Sequence, residues 1–491
     1  MTKKNIVKFL LIASYVAAAF IIGCIPEDSL QWSQDGSIGI YSKKGALFLV
    51  DGNTGSLTQI APKETTTLWP AISPDGRFIA YAQKVPVKNL ADALSILPQN
   101  QIKMLETNAA IIKENIQKKT GGDIFSDKVL KSYNEEYRSW IVHYIFKKLD
   151  EDGALAEKLG AEAVEKALHK EPLNYYRLIL SPSDDSDKKT VVAVSIQNIW
   201  KISFSPDAKL IAYVTNRIKG DPFEFGFDLY IASPSQQIPA AFVAQAVAIG
   251  YDFRPDGRAI AYLKPEKEYF KDQDMIIGSL VEKTVADANG KLIIEPVDPE
   301  KETTFATHKY TGSAKELAGV LYYSWMFVDY ALDGRIFFST AKISLPSSKI
   351  DEERGSLFCY DFLTGAVSEI LPQTAIDFTQ GNFYLFAPSQ DCRKILLPGN
   401  KNTLGIYALG EGLELSKVLI DEKESFGDDS PKFIPKWKGP DQISCLVSDK
   451  SHFLNNDPNK PHQRKEIVIL DVNGKLVQVL SKDWPDELLD Y

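Results

Sequence analysis

One eleven-residue pattern constrains this chain more than anything else in it. "ISPDGRFIAYA" runs from Ile72 to Ala82, "FSPDAKLIAYV" from Phe204 to Val214, and "FRPDGRAIAYL" from Phe253 to Leu263. In each copy an apolar run stops at Pro-Asp-Gly or a close variant. Proline presets φ at the second turn position, aspartate accepts a local backbone hydrogen bond, and glycine tolerates positive φ. The run that follows is aromatic and β-branched, suited to a pleated, buried strand. The unit is therefore a hairpin, and a lone hairpin is marginal. Its apolar faces have to be covered by other copies.

Partner strands follow each hairpin. "DLYIAS" lies at Asp228 to Ser233, and "GSLFCYDFLTGAVSEIL" at Gly355 to Leu371 follows "YALDGRIFFST" at Tyr330 to Thr340. The most compact copy, Leu30 to Ile60, holds four short strands and three turns. Degenerate copies occupy Phe383 to Ile420 and Pro431 to Leu480. The "SPDG…IAY…LY" signature resembles that of TolB-like and WD-repeat-like β-propellers, over nearly all of Leu30 to Leu480. The resemblance implies an all-β fold of four-stranded blades stacked into a closed ring. Seven blades are expected, beginning near Leu30, Thr66, Asn198, Ala248, Gly319, Ile376 and Ser430, with six and eight as the alternative counts. Blades one and seven each own four strands, so no exchanged strand is evident, although Ile25 to Ser29 could add one.

The expected layout is a leader at 1–23, an anchor segment at 24–29, propeller at 30–87, an insertion at 88–173, propeller again at 174–481 and a tail at 482–491. Lys88 to Leu173 carries no blade signature. Ile102, Leu105, Ile112 and Ile116 repeat at helical spacing, as do Val129, Leu130, Tyr133, Tyr137, Trp140, Ile141, Tyr144 and Ile145. Ser126 and Asp127 suit the start of that second helix. "GALAEKLGAEAVEKALHK" reads as a third helix, and "YYRLILS" with "KTVVAVS" as blade two's last strands.

The first 24 residues point to a cellular address. Lys3, Lys4 and Lys8 precede an uncharged apolar run that ends at "IIGC". That order is a secretory signal, with an uncleaved helix of borderline length as the alternative. "IIGC" resembles the bacterial lipobox, which implies lipidation of Cys24 and cleavage before it. More than one acyl chain makes such anchoring stable. Ile25, in place of an aspartate, favours by the same resemblance the outer membrane, facing the periplasm, with the cell surface as an alternative.

Composition narrows the function classes. The 491 residues are 44% hydrophobic and 25% charged with a formal charge of -9, which gives a nucleic-acid partner no electrostatic support. Cys359, Cys392 and Cys445 form no CxxC pair and read as small buried hydrophobes. Five histidines show no metal spacing, although "HFLNNDPNKPH" would bring His452, Asp457 and His462 close together. No G-x-S-x-G, P-loop, dinucleotide or EF-hand pattern occurs. No metal and no cofactor is expected. A carboxylate pair across a central tunnel needs no sequence motif and stays open.

The connection between second and third strands is long in five blades. In an antiparallel blade ring these connections emerge on one face, here called the top. Several are aromatic: Phe223, Phe225, Phe227, Tyr269, Phe270 and Phe453 are the candidate binding residues. The expected role is a lipid-anchored envelope module that binds a protein, peptide or glycan without catalysis. The alternatives are a glycan lyase or hydrolase with acid and base in the tunnel, and a structural subunit of an envelope complex.

Overall fold

The computed structural model describes residues 28–43, 45–61, 70–118, 124, 127–170, 173–185, 187–219, 226–234, 238–266, 276–298, 306–322, 324–341, 355–370, 386–398, 404–409, 413–420, 433–447 and 465–489. Its sheets form seven four-stranded antiparallel blades in a ring. Their innermost strands are Asp28–Trp32, Ala71–Ile72, Ile199–Phe204, Tyr251–Phe253, Val328–Tyr330, Ala387–Pro388 and Lys436–Lys438. Within each blade the strands follow one another outward from these.

Middle strands are buried on both faces. Ile211–Asn216 and Phe227–Ser233 in blade three are buried throughout. Alternate residues serve opposite neighbours, as a period of two requires. Ala212, Val214, Leu229 and Ile231 pack on Tyr251, Ile260 and Val281 of blade four. Ile211, Tyr213 and Tyr230 pack on Ala80, Ala82 and Leu178 of blade two. Each sheet is thus apolar on both sides, and only closure of the ring covers every face.

The repeated turn is a hydrogen-bonded device. In blade two, Ser73 Oγ donates to Asp75 Oδ1 at 2.7 Å and accepts from the Phe78 amide at 2.9 Å. Asp75 Oδ1 also accepts from the Arg77 amide at 3.1 Å. Ser33 with Asp35, Ser205 with Asp207, and Ser389 with Asp391 repeat the serine-to-aspartate bond. In six blades the residue after the aspartate takes φ between 56° and 91°, and glycine fills it in four of them. Ala208 and Cys392 hold the same left-handed conformation at 59° and 56°, where a side chain costs ~1–2 kcal/mol.

Two features shift the blade boundaries away from the sequence reading. Ala314–Tyr322, expected to open blade five near Gly319, is the outermost strand of blade four and pairs antiparallel with Ile276–Thr284. The segment between those strands carries its own hairpin, Ile294–Pro296 with His308–Tyr310. His308–Tyr310 lies parallel to Ile238–Val247, with Ala241 opposite His308, and widens blade three to six strands. That detour pushes the fourth strand far enough along the chain to look like the next blade.

Ring closure uses main chain and side chain together. Phe433 and Ile434, just ahead of blade seven, pair parallel with Asp28 and Ser29 on the tunnel side of blade one. Residues of the C-terminal tail pack on this seam. Trp484, Leu488 and Leu489 are buried with Leu30, Tyr41 and Val50 of blade one and Leu446, Ile467 and Ile469 of blade seven. Tyr41 Oη donates to the Leu488 carbonyl at 2.7 Å, and Trp484 Nε1 to the Gly55 carbonyl at 2.7 Å.

The insertion is helical, with four departures from expectation. A helix at Leu90–Ile96 precedes the expected one at Gln99–Lys118. The next helix spans Glu135–Tyr144 and is capped by Asn134, whose side chain accepts from the Tyr137 amide. Asp127 instead supports the short turn around Leu130–Ser132 by accepting from the Val129 amide. The third expected helix breaks at Gly160 into Ala154–Leu159 and Ala161–Lys170. Leu105, Ile112, Tyr137, Trp140, Ile141 and Ile145 form the core of the insertion, together with Tyr175, Ile196 and Ile218 from blades two and three. Among the described residues no helix is long and apolar enough to cross a membrane. Cys359, Cys392 and Cys445 are buried.

Candidate functional site

Short innermost strands bring four charged groups to the tunnel. Asp252 sits between the buried Tyr251 and Phe253, and Asp329 between the buried Val328 and Tyr330. Alternation sends the aspartates to the side opposite the apolar pairs. Lys201 enters from blade three and Lys436 from blade seven. Burial pushes the Asp252 carboxyl up to about 7, reinforced by the charge of Asp329. Asp329 is also raised by burial, with Lys201 and Lys436 opposing. Burial lowers Lys201, whereas Asp329 and Asp252 hold its proton. Its Nζ donates to the Tyr251 carbonyl at 3.0 Å and lies 4.7 Å from the Tyr251 ring centroid and 5.5 Å from that of Phe327.

The insertion adds a second polar group toward the top face. Glu136 accepts from Asn216 Nδ2 at 3.1 Å on both oxygens, and Trp200 Nε1 donates to Asn216 Oδ1. Burial raises the Glu136 carboxyl, with the Asn216 amide opposing. Trp200 and Trp325 meet edge to face at 5.9 Å, and Trp325 meets Phe227 at 5.5 Å. Beside them Arg217 Nε pairs with Asp228 at 3.5 Å. Burial still pushes Asp228 up to about 6 against that guanidinium. Asn134 fixes the helix start here, its amide donating to the Gln197 side chain and the Arg217 carbonyl.

Of the six aromatic candidates, Phe227 alone is described. It is fully buried, and its ring packs on Trp200 and Trp325. It opens the third strand of blade three and faces inward as core, so its ring is unavailable as a surface contact. Phe223, Phe225, Tyr269, Phe270, Phe453 and Cys24 lie outside the described residues, as do most of four of the five long connections and the whole His452 to His462 stretch. Among the described residues no group of three His, Cys, Asp or Glu side chains could hold a metal.

These groups set a pH profile for stability. Asp252, Asp329, Asp228 and Glu136 bind protons more tightly folded than unfolded. Between about pH 4 and 7 the native state therefore holds more protons than the unfolded chain, and stability falls as pH rises. Asp35, held low by the Ser37 amide and the Ser33 hydroxyl, and Asp51, held low by the Thr54 and Asn53 amides, work the other way. Their contribution is lost as pH drops below about 4. Lys201 opposes the buried acids only at higher pH, since a lowered amine gains stability as pH rises. Urea midpoints are expected to peak at about pH 4–5 and decline toward pH 7, with Asp329→Asn flattening the decline. Midpoints that climb steadily from pH 4 to 7 would contradict this profile.

No family model and no curated protein matches the sequence. Solved structures share the fold at low identity. The β-propeller domain of the Trilobed protease from Pyrococcus furiosus is 10% identical, covering 94% of this chain and 97% of that one, with a TM-score of 0.46. TolB from Acinetobacter baumannii is 15% identical over 67% of this chain and 69% of that one, TM-score 0.33. Oligogalacturonate lyase from Vibrio parahaemolyticus is 12% identical over 78% and 77%, TM-score 0.41. These likenesses extend to the propeller fold and no further, and the tunnel and its mouth are described by their own residues alone.

Proposed function

We propose that the chain is a lipid-anchored propeller of the bacterial cell envelope that binds a protein, peptide or glycan through its top face and tunnel mouth. The observation that carries this reading is the contact of Glu136 with Asn216 and, through it, Trp200. A helical module inserted between two strands of one blade spends a desolvated carboxylate on the neighbouring blade, beside a cluster of aromatic rings. Burying a carboxylate costs free energy unless it is well bonded, and such costs concentrate at functional sites. The leader and "IIGC" supply the anchor through Cys24, with the outer membrane as its place.

The test uses the intact chain in its native envelope. A photo-crosslinking residue at Glu135, exposed on the inserted helix, should capture one specific partner. The same residue at Leu332, exposed on a first-to-second-strand turn and hence on the opposite face, should not. Capture only from Leu332 would reverse the assignment. A second reading, an enzyme with acid and base in the tunnel, is favoured by the proximity of Asp252 and Asp329 and by a carboxyl poised near neutrality. Turnover of an envelope glycan that disappears in both Asp252→Asn and Asp329→Asn would select it.

A further inference from the structure

The chain enters the ring at one defined end. Blade one's innermost strand pairs with Ile38–Lys43 so that Ser29 lies opposite Ser42 and Trp32 opposite Gly39. Lys43 in turn lies opposite Ala46 across the second-to-third-strand connection. Asp28 therefore stands beside that connection, at the top end of the tunnel wall, and its strand runs toward the bottom. Phe433 and Ile434, parallel to Asp28 and Ser29, enter from the same end. The helical insertion stands on this face too. It leaves and rejoins blade two at the paired residues Pro86 and Asn174, the ends of that blade's second and third strands.

Cys24 precedes Asp28 by four residues. Even a fully extended chain of that length spans at most about 14 Å. Strand Ile38–Lys43 has six residues and is about 20 Å long, which sets the separation of the top and bottom faces. The tether is thus shorter than the ring is thick, and the bottom face cannot reach a bilayer that holds Cys24. Nor can the ring lie on its edge. Asp28 is on the innermost strand, three strand spacings or about 14 Å inside the outer edge of its blade. An edge-on ring would spend the whole tether on reaching its own rim. The top face remains, with the tunnel mouth no more than about 14 Å from the lipid.

We infer that the top face docks on the membrane surface, with the inserted helices against the lipid headgroups. This rests on the lipid anchor at Cys24 put forward above and adds the face that such an anchor selects. The remaining gap is narrow. A helix with its side chains is about 10 Å across, so the insertion, which packs on Tyr175, Ile196 and Ile218 of blades two and three, takes up most of it. A large water-soluble protein has no room between ring and lipid. The partner that reaches the tunnel mouth is therefore one carried by the same membrane.

The test uses the mature, acylated chain, extracted from its membrane and reconstituted into vesicles of phosphatidylethanolamine and phosphatidylglycerol. A fraction of the lipids carries a nitroxide on the headgroup, which quenches a fluorophore only at close range. The fluorophore is attached at Ile111→Cys or Glu135→Cys on the insertion, and at Leu332→Cys or Leu363→Cys on bottom turns. All four positions are exposed. Cys359, Cys392 and Cys445 are buried, so each variant takes one label, and two positions per face guard against one misfolding. Both insertion labels should lose most of their fluorescence, and both bottom labels should keep theirs. Equal quenching on the two faces, quenching confined to Leu332 and Leu363, or none at any position overturns the inference. Labelled fatty acid on Cys24 in that same protein leaves the anchor standing. Absence of fatty acid from Cys24 overturns the anchor and this orientation with it. Quenching at the insertion without partner capture at Glu135 keeps the orientation and sinks the top-face binding reading alone.

Discussion

Trp484→Ala should lower the unfolding free energy by about 4 kcal/mol, the range for removing a buried tryptophan. The seam between blades one and seven is where a ring of this kind is weakest, because no strand crosses it in exchange. Among the described residues, main-chain pairing there amounts to Phe433 with Asp28 and Ile434 with Ser29. The rest is side-chain packing, and Trp484 is its centre. Its ring lies 5.0 Å from that of Tyr41, its Nε1 bonds the Gly55 carbonyl, and it is buried with Leu30 and Ile469. Truncation removes the apolar contact and leaves that carbonyl without its donor. Urea unfolding would measure the loss, and amide exchange should show early opening at Leu30 and Tyr41 rather than at Ile260. Leu363→Ala, at a residue 95% exposed, should change stability by less than about 0.5 kcal/mol. A loss under about 1 kcal/mol at Trp484 would mean the seam is held elsewhere.

The ring was legible because its signal is local and repeated. A turn built from serine, aspartate and a left-handed residue needs those residue types at fixed offsets, and the strands beside it need apolar residues on both faces. The outer strands were less legible. Ala314–Tyr322 looks like the start of a blade because nothing in its own sequence says that 285–313 is a detour onto blade three. That pairing, Ala241 with His308, is between segments far apart in the chain and depends on tertiary placement. Closure was hidden for the same reason, since Trp484 and Leu488 find their partners across nearly the whole length of the chain.

A carboxylate pair in the tunnel stays open in the sequence without named residues, although a signal for them exists. Asp252 and Asp329 each stand four residues ahead of their turn aspartate, Asp256 and Asp333. The same offset gives Gln31, Ser203, Ala71 and Ala387 in other blades. Aligning the repeats on the turn places these side chains at one level of the tunnel wall and singles out the two aspartates. Lys201 escapes even that register, because it lies two residues earlier on its strand than Ser203. Phe227 misled in the opposite direction. Aromatic character suits a binding surface and a blade interior equally well, and its neighbours Trp200 and Trp325 are distant in sequence.

Replacing 88–173 with a four-residue Gly-containing turn should leave a folded propeller that is about 2–3 kcal/mol less stable. The flanking strands are in register up to the pair Pro86 and Asn174, so a short turn can join them without shifting blade two. Two terms oppose each other. Shortening the connection by a little over four doublings recovers ~2.5 kcal/mol of loop-closure entropy at ~0.6 kcal/mol each. Stripping the helices from Tyr175, Ile196 and Ile218 exposes side chains now buried, at a cost of roughly 5 kcal/mol for the three. The packing cost wins, but modestly, because most of the insertion's core is its own: Leu105, Ile112, Tyr137, Trp140 and Ile141 leave together. Loss of Glu136 also relieves a carboxylate that burial disfavours. Circular dichroism should lose its helical component and keep a cooperative β transition. Disappearance of that β transition would make the helices part of the ring rather than a module seated on it. A stable propeller that still captures its partner through the top face would show that the helices are not what the partner reads.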